Sequence, residues 1–499
     1  MLHGYLMMQM AWGVLSPSMV HGIAKAAMTD IAAAKRGCEL PKLAKLASVS
    51  EGKFLWRTLC AIMSKESSLP EPLDVTMPYK GGNQKASLLL PHEYFAAMYE
   101  DAKAWATSIL PVPTKLPEFW ESMQNHPATQ DHPIKERRGW KDTCVALGLH
   151  GDEVPIAGVG KMWCRSSLVF SWFSILANAA ARSTLDVMIY IWGFEKFVKE
   201  GAMETFWSVM KWSFECLLGG KWPHSDWRGI QYDPTSPEGH KAGRDHAGGY
   251  CGVLIQFAGD LDYSCKWLGL PRWSAAVSCC ALCKATLRGN CSWMDMRPAA
   301  DWIQTILSPT TCAGSTCPLF QVPGLSAVCV VMDYMRCMFL GRAAEIMGLD
   351  QAMLAVWTKY MKATEVVHRR IRRLLDLNCT LACMLDEYSP RYGSMAVPEA
   401  VANKTQDKIL MMGQLHVQLF EHVKTEGVQI FSLTSKTHFA IHSIMFARYI
   451  HPALVWCFKG ETMMQRSQRL CKSCLAGTKQ WQVGIKVAVK YRHGLHLRF

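Results

Sequence analysis

Two apolar runs far apart in the chain, "CVALGLHGDE" from Cys144 and "YCGVLIQFAGD" from Tyr250, both reach a Gly-Asp pair. Each has the length and composition of a buried strand. One acid at a strand end is ordinary turn chemistry, because Gly-Asp favours turns. Two acids in the same setting suggest more. Phosphoryl transfer by divalent metal ions needs two or three carboxylates to converge, and neighbouring strand ends of one sheet can supply them. Asp152 and Asp260 are therefore the first candidate ligands for Mg²⁺ or Mn²⁺, with turn residues as the plain alternative. Apolar sequence resumes at Val154, so Asp152 is expected between two separate buried strands.

The rest of the chain is organised around these runs. Residues 1–139 read as an irregular N-terminal region with helical pieces, among them "LLLPHEYFAAMYEDAKAWATSIL", whose Pro91 suits a first helical turn. A connector rich in Pro and polar residues follows. Residues 140–284 hold a strand meander ("CVALGLHG", "VPIAGVGKMW", "SLVFSWFSI", "DVMIYIWGF"), a long helix from about Glu195 to Leu218, a polar loop and the strand ending on Asp260. Residues 285–425 look like a mainly helical insertion. Residues 426–499 return to "HFAIHSIMFARYI" and a helix starting near Gly460. This order is α+β.

Composition narrows the function classes. Lys and Arg number 54 against 41 Asp and Glu, a net charge of +13, which suits an anionic partner such as DNA or simply a basic surface. The 20 cysteines lie mostly inside apolar segments, where reduced cysteine acts as a small hydrophobe. The compartment expected is reducing, nuclear or cytoplasmic rather than secreted. The most apolar stretch, "SSLVFSWFSILANAAARSTLDVMIYIWGF", is interrupted by Arg182 and Asp186, so no membrane partner is expected.

Further motifs carry weaker signals. Cys280-x-x-Cys283 is half of a tetrahedral zinc site, and Cys279, Cys291, Cys312 and Cys317 are the candidates to complete it. Cys471-x-x-Cys474 shows how readily this spacing arises by chance. His438 and His442, four apart, could share a metal from one helix face. With no accompanying Glu they are expected to be satisfied core or surface histidines. Glu461 follows Gly460 at a helix start, where the dipole alone suffices to favour an acid. In "HRRIRRLL", Arg369, Arg370, Arg372 and Arg373 spread over a polar helix face that is either solvated or grips phosphates. No phosphate-binding Gly-Lys-Ser/Thr loop, Gly-x-Ser-x-Gly elbow or dinucleotide fingerprint is present.

In order along residues 140–475, these pieces resemble the transposases of CACTA-type (En/Spm-like) DNA transposons, and within them a dinoflagellate transposase-like family. "LHGDEVPIAGVGKMW" resembles the strand carrying the first catalytic Asp. "VLIQFAGDLDYSCKWLGLPRWSAAVSCCALC" is similar to the second-Asp segment with its Cys-x-x-Cys. "VVMDYMRCMFLG" resembles an Asp-x-Met-His segment, and "LTSKTHFAIHSIMFARYIHPALVWCFKGETMMQ" the late block ending on Glu. The resemblance implies a ribonuclease-H-like core, a mixed sheet flanked by helices, with a large helical insertion between the second and third acids. It implies DNA cleavage and strand transfer with two Mg²⁺ ions held by Asp152, Asp260 and Glu461. Cys280 and Cys283 would be zinc ligands, DNA the partner, and a homo-oligomer is compatible.

The chain also departs from that pattern. Glu153 stands where Gly is usual and would crowd the metals, Arg336 replaces the His after Asp333, and no DNA-end-binding domain is recognisable before residue 140. These departures suit a degenerate, inactive or domesticated copy and leave the role of Asp333 open. The alternatives are a non-catalytic nucleic-acid-binding protein that keeps the fold, and an unrelated structural or interaction protein.

Overall fold

A computed structural model describes residues 2–33, 40–50, 55–157, 165–180, 183–195, 201–306, 315–332, 349–427, 431, 433–455, 458–475 and 478–499. At its centre lies a five-stranded mixed sheet. It is built from β3 (Cys144–Ala157), β4 (Arg165–Ser174), β5 (Ile189–Glu195), β6 (Cys251–Gly259) and β7 (Val330–Met332), in the order β5-β4-β3-β6-β7. The first three strands form an antiparallel meander, and β6 and β7 then add in parallel on the β3 side. A strand parallel to β3 needs a long crossover, and the helix α6 (Ala202–Gly219) with the polar loop behind it supplies one. The mixed α/β architecture and the strand meander agree with the sequence reading.

The meander differs from expectation in one respect. β3 runs unbroken through Asp152 to Ala157, so the acid sits inside one long strand rather than between two. Its partner β4 matches it residue for residue from Leu147 to Pro155, which keeps Gly151-Asp152 extended by paired hydrogen bonds instead of letting it turn.

Helices cover both faces. Phe170, opposite Gly151, packs on Phe206 of α6 at 4.5 Å between ring centroids and on Tyr263 of α7 (Leu261–Trp267) at 6.1 Å. On the opposite face lie α12 (Phe458–Leu475), against β3, and α13 (Gln480–His496), against β5. Tyr491 of α13 donates its hydroxyl to the Met188 carbonyl at 2.7 Å just before β5. Buried Trp172, Trp192 and Tyr190 belong to the same continuous core.

The N-terminal region is more regular than expected. It contains α1 (Leu2–Ala11), α2 (Pro17–Ala33), α3 (Pro41–Ala47), α4 (Leu55–Glu66), the hairpin β1 (Leu73–Tyr79) and β2 (Gly82–Leu88), and α5 (Pro91–Tyr99). Leu6, Met10, Val20, Leu43 and Leu59 form a small separate core there. Leu89, just after β2, donates its amide to the Ile191 carbonyl and joins the hairpin to the edge strand β5.

Among the described residues of the insertion, the α-helices are α8 (Leu349–Tyr360), α9 (Val366–Glu387) and α10 (Glu399–Thr425). Over 268–306 and 315–329 the chain runs through turns and short 3₁₀ segments. "HFAIHSIM" is helical too, within α11 (Ser435–Met445). No helix among the described residues is long and apolar enough to cross a membrane.

Candidate functional site

Cys280 and Cys283 sit in a buried loop stiffened by its own backbone. The Leu282 amide points at Cys280 Sγ at 3.3 Å, and the Cys279 amide bonds the Ala285 carbonyl. Opposite stands α11, whose 3.6-residue period puts His438 and His442 on one face, one turn apart. Cys283 Sγ lies 3.3 Å from His438 Nε2, Cys280 Sγ lies 3.6 Å from His442 Nε2, and the two Nε2 atoms are 3.0 Å apart. Among the described residues this is the one group of three or more His, Cys, Asp or Glu side chains whose ligating atoms all lie within 4.8 Å of one another.

The donor set fits zinc. Tetrahedral Zn²⁺ with bonds of about 2.3 Å to sulfur and about 2.0 Å to nitrogen puts S···N pairs roughly 3.5 Å apart and N···N roughly 3.3 Å apart. The two S···N distances bracket the first value, and the N···N distance falls slightly inside the second. All four residues are buried, and the Trp302 ring closes the site 4.2 Å from His438 and 5.5 Å from His442. Burial alone would raise the Cys280 thiol. Donation by the Cys283 thiol and the adjoining imidazoles of His442 and His438 instead hold it well below its ordinary value, as a metal ligand requires. Burial lowers His438, keeping its imidazole neutral.

Cys280 and Cys283 thus gain their partners from His438 and His442. Both histidines are buried in the core, as one of the expected readings had it, but they stand against the two cysteines in a group that could hold a metal ion. Cys279, Cys291 and Cys317 stand outside the group, Cys279 donating its thiol to the Ala285 carbonyl. Cys312 and Asp333 lie outside the described residues, as does Arg336. Cys471 and Cys474 are buried on α12 away from the group.

The acids follow from the sheet. β3 and β6 are parallel and their last paired residues are Gly151 and Gly259, so Asp152 on β3 and Asp260 just past the end of β6 each follow that pair. Asp152 is half-buried, and its Oδ1 accepts the Glu153 amide at 2.7 Å. Asp260 caps α7, its Oδ1 accepting the Tyr263 amide at 2.6 Å. Although its surface is exposed, the protein around it raises its carboxyl above the ordinary value, against the pull of that amide and of Lys266 and Lys436. Lys436, in the first turn of α11 and two residues before His438, is a neighbour of Asp260 that lies within the quoted late block but received no role from the sequence.

Glu461 arrives from the other face of the sheet. Gly460 packs so closely on His150 that an added Cβ would lie 2.2 Å from His150 Nε2. His150 and Asp152 are two apart on one strand and point to the same side, so the start of α12 overlies the β3 face that carries Asp152. The three acids lie on adjoining elements, yet three of their oxygens do not gather within 4.8 Å. Glu153 points to the opposite face, where its carboxylate accepts the Ser166 hydroxyl, so it does not crowd Asp152 as the sequence suggested.

The arginines of α9 are spread as expected. Arg369 Nη1 bonds the carbonyls of Ala363 and Thr364 at 2.7 and 2.8 Å, and Arg373 pairs with Asp376 at 2.8 Å. Arg372 is exposed and Arg370 half-buried.

No protein-family model matches the chain, and none of the curated proteins matches its sequence.

Proposed function

We propose that the chain is a transposase-like protein that cuts and joins DNA, with Asp152, Asp260 and Glu461 as its metal-holding acids. One observation supports the reading: the β3–β6 register ends with Gly151 opposite Gly259, the residues just before Asp152 and Asp260, while Gly460 packs on His150 of the same strand. Further support comes from strand order. Three antiparallel strands, then two parallel ones beyond the first, with helices on both faces, is the arrangement expected of a ribonuclease-H-like core. Bound Mg²⁺ or Mn²⁺ would activate the attacking oxygen and stabilise the leaving one. Paired catalytic metals sit roughly 3.5–4 Å apart, so acids spread more widely than a single-ion cage suit two ions better than one.

We assign the Cys280, Cys283, His438 and His442 group to Zn²⁺ in a structural role. It joins the segment just after Asp260 to the helix shortly before Glu461, across 155 residues of sequence between Cys283 and His438. A metal there ties both ends of the insertion to the core, and with it two of the three acid-bearing segments. The net charge of +13 and exposed Arg372 supply the attraction for a DNA backbone.

A second reading, a non-catalytic nucleic-acid-binding protein with the same fold, is favoured by the absence of a closed carboxylate cage among the described residues. Calorimetric titration with Mn²⁺ separates the two, with wild type beside Asp152→Asn, Asp260→Asn and Glu461→Gln. The first reading expects binding that weakens in all three variants. Salt-sensitive DNA binding with no Mn²⁺ uptake by the folded wild type would leave the second.

A further inference from the structure

Cys144 and Cys251 open β3 and β6, with Asp152 further along the first strand and Asp260 directly after the end of the second. They are direct partners in the parallel β3–β6 register, and their sulfurs lie 2.8 Å apart. Neighbouring strands run about 4.7–4.9 Å apart, within the roughly 4.4–6.8 Å between Cα atoms that disulfides span. Both side chains are fully buried, so neither thiol is steered elsewhere by solvent.

The setting also activates one of them. Arg137 reaches in from the connector before β3, with Nη1 on the Gly219 carbonyl at 3.1 Å and Nη2 on the Gly249 carbonyl at 3.0 Å, two residues before Cys251. The Cys251 thiol donates to Cys144, and that hydrogen bond, with Arg137 nearby, lowers Cys144 and favours its thiolate. One sulfur is thus prepared as nucleophile and the other as the resolving thiol.

We propose that Cys144 and Cys251 are an oxidative modification site, a vicinal dithiol that closes to a cross-strand disulfide when a hydroperoxide reaches it. The Cys144 thiolate attacks a peroxide oxygen, breaking the O–O bond and becoming a sulfenic acid, while hydroxide leaves and takes a proton. The Cys251 sulfur then attacks the sulfenic sulfur, its proton leaving with the expelled oxygen as water. Overall, two thiols and one hydrogen peroxide give one disulfide and two waters. The bond ties the start of β3 to the start of β6 and fixes the register that ends in Gly151 opposite Gly259, just before Asp152 and Asp260. The inference stands on the thiol geometry and holds whether or not the acids bind metal.

The test is a peptide map of the full-length, zinc-loaded protein after graded hydrogen peroxide, alkylated under denaturing conditions without reductant. Exposed Cys383 reports that the oxidant has acted. The expected result is a cross-linked peptide pair containing Cys144 and Cys251, abolished by reductant and absent from Cys251→Ser. If Cys383 is oxidised while both buried cysteines are recovered alkylated, the proposal is wrong. Recovery of either in a link to another cysteine overturns it equally. The wild-type map decides alone should Cys251→Ser not fold.

Discussion

Gly151 on β3 faces Gly259 on β6, and the ring of Tyr263 occupies the space in front of both. A Cβ at Gly151 would lie 2.0 Å from Tyr263 Cε2, and one at Gly259 would lie 2.3 Å from Cδ1 and 2.7 Å from the Gly151 carbonyl oxygen. The two glycines before the acids therefore admit the first turn of the helix that Asp260 caps.

Gly151→Ala should accordingly destabilise the protein by about 2 kcal/mol, the ordinary cost of overpacking a closed core. Because the clash is with one ring, adding Tyr263→Ala should recover part of that loss, giving a non-additive cycle. Urea unfolding of the two single variants and the double variant measures this. Strict additivity would show that Gly151 is constrained by something other than Tyr263.

Removing the metal ligands tests the Cys/His centre. Purified wild type should carry one zinc, and Cys283→Ser or His438→Ala should lose it. The unfolding midpoint should fall by roughly 5–10 °C, since metal binding to a folded site adds to folding free energy. Acidification should release the metal as the thiolates and imidazoles take up protons. Retention of full zinc by both variants would remove the assignment.

How far the sequence disclosed this centre depended on the kind of signal. Apolar runs marked β4, β5 and β6, because those strands are buried on both faces and read as continuous hydrophobic sequence. The same logic split β3 wrongly at Gly151-Asp152, where pairing with β4 overrides a local turn preference. Cys280-x-x-Cys283 and His438-x-x-x-His442 were each visible. Their pairing was not, because it is made across 155 residues by the packing of α11. His150 gave no signal, since its importance lies in Gly460 resting on it.

Exposed Arg372 should contribute to DNA affinity without contributing to stability. Arg372→Glu should weaken binding to unrelated duplexes alike and shrink the salt slope of log K by about 1, as expected for one lost phosphate contact. Arg369→Ala is the contrasting variant, because its guanidinium already serves the carbonyls of Ala363 and Thr364. Fluorescence anisotropy at several salt concentrations reads both. Identical slopes in wild type and Arg372→Glu would take α9 out of any DNA interface.

Buried histidine should make the fold sensitive to acid. Burial lowers His150 from an ordinary value of 6.5 to about 4. Its stabilising contribution is therefore complete above pH 6.5, where folded and unfolded chains both hold it neutral. As pH falls below 6.5 the unfolded chain takes up the proton first, and the contribution is lost progressively until the folded form also titrates near pH 4. The full loss is about 3 kcal/mol for this one side chain, at about 1.4 kcal/mol per unit. His92 and His126, both lowered to about 3 by burial, steepen the same slope. His150→Asn should be less stable than wild type at pH 7.5, because the ring packs against Gly460. It should then lose less between pH 7.5 and pH 4.5 than wild type does. Urea midpoints at the two pH values, on metal-free samples of both proteins, give the comparison. Parallel losses would mean that His150 is already protonated in the fold, and that the packing of α12 on β3 does not exclude the charge.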